Sequence, residues 1–132
     1  MQSEEGKDEL GRIQEANDGL ADGESYAGCT STVVLITRNE VYCANAGDSR
    51  TVLASRGNAK DLSIDHKPTD QAEMERIRAA GCFVAEGRIN GRLALSRALG
   101  DFEFKQNGDL PKNRQAVTAY PDVTVETITN DT

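Results

Sequence analysis

The chain has 132 residues, 37% of them hydrophobic, with no tryptophan and only 5% aromatics, so it suits one domain built on a modest aliphatic core. The formal net charge of −7 is concentrated at the start: residues 1–25 hold eight acids and two bases, while the rest holds 14 acids against 13 bases. A balanced body argues against nucleic-acid binding through a basic face, and no apolar run has the length of a membrane span or the pattern of a signal peptide.

Residues 1–25, with many charges, several glycines and few large apolar residues, cannot bury enough surface to offset the entropy of ordering. They read as an acidic disordered tail, and the folded part starts near Tyr26. From there the pattern is β. TSTVVLIT is rich in β-branched residues, RNE turns, and VYCANA runs back. NAGDSR (residues 45–50) then reads as a hairpin turn leading to RTVLAS, and RGN as a second turn leading to AKDLSI, the whole suggesting an antiparallel meander.

The period changes at DQAEMERIRAAG. Asp70 and Glu73 have the spacing of a capping box, Met74, Ile77 and Ala80 share a face, and Gly81 suits the left-handed residue that ends a helix. One short helix is expected there. CFVA, a turn at EG, and RINGRLALSRALGDFEFK follow; QNGDLPKNRQ reads as a loop, and AVTAYPDVTVETIT as a last extended segment with Pro121 at an edge or kink. The cysteines (Cys29, Cys43, Cys82) are odd in number and form no CxxC pair. They suit reduced thiols in the cytoplasm or nucleus rather than a disulfide or zinc framework.

The stretches YAGCTSTVVLI, VYCANAGDSR, DHKPTDQAEMERIRAAG, GRINGRLALSRALGD and AYPDVTV resemble, in order and spacing, the metal-dependent type 2C (PPM) protein serine/threonine phosphatases. The resemblance covers Tyr26 to Thr129. It implies an α+β fold, part of an αββα sandwich of antiparallel sheets, with the short helix in a flap at about residues 65–90. It also implies Mg²⁺ or Mn²⁺ as cofactors, phosphoproteins as substrates, and hydrolysis of phosphoserine or phosphothreonine by a metal-bridged water. The family's Asp-Gly-His-Gly motif, which carries its general-acid histidine, and its Asp-Gly-x-Trp-Asp motif are not in these 132 residues. The chain is therefore expected to be the central part of a phosphatase domain, residues 26–132, inactive alone. The alternative is a non-catalytic, phosphatase-like interaction module.

Residue by residue, the resemblance gives Asp48 as a ligand of a further, weaker metal ion, whereas the residues alone favour a turn aspartate bonding nearby amides. No catalytic residue is expected within the chain. His66, Lys67, Arg88 and Asn90 fall in the flap near the substrate, with His66 read as structural because the catalytic motif does not surround it. Arg50, Arg88, Arg92 and Arg97 are able to fork onto phosphate, but the family's phosphate-binding arginine lies upstream, so they read as structural or flap residues. Asp101 is expected to hold local backbone or an arginine. The acidic tail suits a solvated spacer or a docking site for a basic partner.

Overall fold

The computed structural model describes residues 27–130, so the expected tail at 1–25 lies outside the described residues. In chain order these form β1 (Gly28–Cys29), β2 (Ser31–Ile36), β3 (Glu40–Ala46), β4 (Val52–Ser55), β5 (Asn58–Asp61), α1 (Gln71–Ala79), β6 (Val84–Ala85), β7 (Arg88–Ile89), β8 (Leu99–Gly100) and β9 (Asp122–Thr127). Every pairing between these strands is antiparallel. With one helix among them, the class is α+β, as expected. No described helix is long and apolar enough to cross a membrane.

Two tight turns follow from local chemistry. Arg56 and Gly57 have φ of 48° and 76°, and Glu86 and Gly87 have 53° and 73°. Positive φ at both central residues matches the right-handed twist of the flanking strands, and the hairpins β4–β5 and β6–β7 form around them. The meander expectation fails at NAGDSR. β3 does not pair with β4; it is the centre of a three-stranded sheet ordered β2-β3-β9, with Asn45 opposite Asp122. The edge that a hairpin partner needs is filled by a strand about 80 residues later in the chain. The β4–β5 hairpin and the segment after it lie against the sheet instead. The Thr124 hydroxyl donates to the Leu62 carbonyl, Lys60 pairs with Glu126, and Leu62 packs with Val41 and Cys43.

Helix α1 starts where expected, but no side chain caps it. Asp70 Oδ2 instead accepts the Lys67 N–H, and Glu73 turns into the protein. Its C-terminus is as expected: Gly81 has φ of 89°, the Cys82 N–H bonds the Ile77 carbonyl, and the Gly81 N–H bonds the Arg78 carbonyl. The helix packs through Ile77 onto Ile89, Ala98, Phe104, Ala116 and Val117, with Ala80, Cys82, Val84, Leu93 and Leu95 around them. The sheet is different. Val33, Leu35 and Ile36 on β2 and Val123 and Val125 on β9 are exposed. Val33, Ala44 and Val123 lie in one cross-strand row, and Leu35, Tyr42 and Val125 in the next, so one face of the sheet is an uncovered apolar surface.

Candidate functional site

The end of β3 positions Asp48. Gly47 has φ of 121°, and a Cβ there would overlap the Thr30 side chain and approach the Arg97 carbonyl at 2.9 Å. Only glycine makes this exit from the sheet. The next residue, Asp48, presents its carboxylate at the sheet end, where Oδ2 accepts from Lys67 Nζ at 2.5 Å.

His66 holds that exit in place. Its side chain is 5% exposed. The Gly47 N–H bonds Nδ1 at 3.1 Å, and the His66 N–H bonds the Gly47 carbonyl at 3.0 Å. Because a backbone N–H only donates, Nδ1 accepts and the ring proton sits on Nε2, which donates to Asp122 Oδ2 at 2.9 Å. Burial opposes the charged form of Asp122, but hydrogen bonds from His66 and Arg97 outweigh it and hold its carboxyl below the ordinary range. Asn45 adds a brace, its Nδ2 donating to the carbonyls of Gly47 and Ile64.

Behind His66 and Asp122 is a buried ion network. Glu73, 3% exposed, accepts from Arg97 Nη2 at 2.7 Å, Arg76 Nη2 at 2.7 Å and Ser96 Oγ at 2.6 Å. Arg97 reaches on to Asp122 Oδ1 at 2.9 Å and to the Tyr120 carbonyl, and Arg76 to the carbonyls of Ser96 and Gln115. Burial alone would raise the Glu73 pKa, yet bonds from the two arginines and the serine bring it down to about 2. A continuous path of polar contacts thus runs from helix α1 through Glu73, Arg97, Asp122 and His66 to the loop that carries Asp48.

Of the expected site residues, the structure brings together Asp48, His66 and Lys67. Arg88 and Asn90 bond within their own hairpin: Arg88 Nη1 donates to the Arg92 carbonyl, and Asn90, at φ 50°, accepts the Phe83 N–H on Oδ1. Arg50 pairs with Asp61 and Asp65, and Arg92 with Glu103, so these arginines and Arg97 have structural partners. Asp101 sits at φ 49° with its carboxylate against Gly28, and burial raises its pKa. A groove of about 460 Å³ between α1 and residues 110–114 is lined by Ala72, Glu75, Arg76, Ala79, Leu110 and Arg114, none of them an expected site residue. The roles of Glu73 and Asp122, the partners of the structural Arg97, were missed. One signal was present for Glu73: residues 73, 77 and 80 share the buried helix face.

Among the described residues, no group of three or more His, Cys, Asp or Glu is placed to hold a metal ion. Asp48 nonetheless fits as a single hard-oxygen ligand. It lies at a rigid strand end and already holds a cation, the Lys67 ammonium.

A family model described as protein phosphatase 2C matches residues 3–132. "Protein phosphatase 2C homolog 3" of Schizosaccharomyces pombe is 65% identical over 120 residues, which cover 88% of this chain and 29% of that protein. "Protein phosphatase 2C homolog 2" of Aspergillus fumigatus is 57% identical over 108 residues, 82% of this chain and 25% of that protein. A solved Toxoplasma gondii phosphatase superposes with a TM-score of 0.62 at 47% identity, covering 65% of this chain and 27% of that one. A solved C. elegans sex determining protein shares the fold, with a TM-score of 0.70 at 24% identity over 97% of this chain and 29% of that one. The chain spans about a quarter to a third of these relatives, and with the family model matching nearly all of it, it belongs to the protein phosphatase 2C family.

Proposed function

We propose that this chain is the central part of a metal-dependent protein serine/threonine phosphatase domain that acts on phosphoserine and phosphothreonine of phosphoproteins with Mg²⁺ or Mn²⁺. The observation that carries the reading is the family match over residues 3–132 in a chain that spans 29% of its S. pombe relative. Bound divalent cations would supply the phosphoryl charge neutralisation and the activation of water that such hydrolysis needs. This chain's own contribution is positional. Asp48 offers one carboxylate, Gly47 turns it outward, and His66 with Asp122 fixes the turn. His66 is not a proton donor to substrate, because both ring nitrogens are engaged. Residues 65–90 form the flap, with Lys67, Arg88 and Asn90 on the substrate side. The three cysteines are free, which supports a reducing compartment, cytoplasm or nucleus. For the acidic tail we propose a spacer or basic-partner site.

A transplant tests the reading. Residues 27–130 replace the matching stretch of the S. pombe relative, and hydrolysis of a phosphothreonine peptide is followed with Mn²⁺. Turnover within about tenfold of the parent is expected; a folded but inactive hybrid would overturn the reading. The second reading, a non-catalytic module that binds partners through the flap and sheet edge, is favoured by the apolar side chains exposed on β2 and β9. It predicts the inactive hybrid.

A further inference from the structure

We propose that Lys67 is a displaceable internal cation for Asp48, so that a divalent ion reaches this carboxylate only by expelling the lysine. The proposal rests on the reading of Asp48 as a metal ligand and adds a competitor to it.

The geometry is specific. Lys67 Nζ lies 2.5 Å from Asp48 Oδ2 across 19 residues of chain, so the pair is tertiary and not a local turn contact. Both ends of the lysine backbone are anchored. His66 on one side is locked to Gly47 by two hydrogen bonds and to Asp122 by a third. On the other side Pro68 is fully buried, and the Lys67 N–H itself is held by Asp70 Oδ2 at 3.0 Å. The same clasp that presents Asp48 therefore presents Lys67 to it. The other cationic side chains nearby are committed elsewhere: Arg50 bonds Asp65 and Asp61, and Arg97 bonds Glu73 and Asp122.

The lysine side chain is 43% exposed and that of Asp48 27%. The ammonium can swing into water on its flexible stem, whereas Asp48 sits only two residues beyond the end of β3 at Ala46. A half-exposed pair of this kind is weak because water screens it, weak enough for a divalent ion to break. A cation held against a carboxylate still lowers that carboxylate's affinity for a second cation. By reciprocity, metal at Asp48 releases Lys67, one of the contacts that tie the start of the flap to the β3–β4 loop, while the His66–Gly47 hydrogen bonds remain.

The test uses the 132-residue chain, Mn²⁺ as the probe, and paramagnetic broadening of amide NMR signals at residues 47–49 as the readout, at low and high salt. Weak Mn²⁺ broadening is expected in the wild type and should vanish in Asp48→Asn. Lys67→Met should reach half-broadening at about two- to tenfold lower Mn²⁺, with the gain shrinking as salt screens the pair. Lys67→Arg should behave like the wild type, which controls for any loss of packing. Equal Mn²⁺ affinity in Lys67→Met and the wild type, alongside loss in Asp48→Asn, would overturn the proposal and leave the metal reading standing. Broadening that survives Asp48→Asn would overturn both.

Discussion

The helix side of the molecule and the three-stranded sheet are built from similar apolar residues, yet only one of them is closed. Around α1, Ile77, Ile89, Ala98 and Val117 are fully buried, and even the polar interior is satisfied, with Glu73 neutralised by two arginines. On the sheet, Leu35 is 60% and Ile36 68% exposed, although β2 carries the continuous apolar run VVLI. The difference teaches that apolar content does not by itself make a core. A strand closes only when another layer lies on its face, and here the described residues supply such a layer to one face of β3 alone.

The sharpest way to break the comparison is at Glu73. Glu73→Gln keeps the shape but leaves Arg76 and Arg97 buried beside a neutral group, and breaking such a network costs about 3–5 kcal/mol. Urea unfolding should show that loss. A change under 1 kcal/mol would mean that the network is not what closes the helix side.

Acid probes the same residue. The Glu73 pKa falls from an ordinary 4.5 to about 2 in the folded protein, so its contribution is complete above pH 4.5 and disappears as pH falls towards 2. Melts across that window should lose roughly 3 kcal/mol from this group. The pH dependence should be clearly shallower in Glu73→Gln.

Local features of both regions were legible in the sequence because local chemistry decides them. Arg56-Gly57 and Glu86-Gly87 read as turns, Gly81 as a helix end, and the β-branched run 31–36 as a strand. The motif singled out Asp48, and the structure places its carboxylate beside Lys67. What escaped depends on contacts distant in sequence. β3 takes β9 rather than β4 because the register that aligns Asn45 with Asp122 joins segments nearly 80 residues apart. Asp70 and Glu73 have capping-box spacing, but Arg97 draws the Glu73 carboxylate inward, a competition that only the tertiary fold reveals. Lys67 beside Asp48 is a pairing of the same kind.

On the open side, stability and association should separate. Leu35→Ser and Val125→Ser lie in one exposed cross-strand row, so each should shift unfolding by no more than about 0.5 kcal/mol. Both should reduce self-association measured by light scattering, because the uncovered face and the edges of β2 and β9 are what invite pairing between chains. A loss of several kcal/mol in either variant would mean that this face is covered after all.

The smallest effect is expected between the two regions. Asp48→Asn keeps an acceptor for Lys67 and fits the same turn, so its unfolding free energy should match the wild type within about 0.5 kcal/mol.

If, as proposed, residues of this chain position a phosphatase site without completing it, the direct measurement is hydrolysis of a phosphothreonine peptide by the 132-residue chain in millimolar-range Mn²⁺. With Asp48 as its one proposed ligand and no cluster of three metal-binding side chains among the described residues, it should give no turnover above a chelator-treated blank. Turnover that follows the purified chain through separation and disappears with chelator would contradict the account.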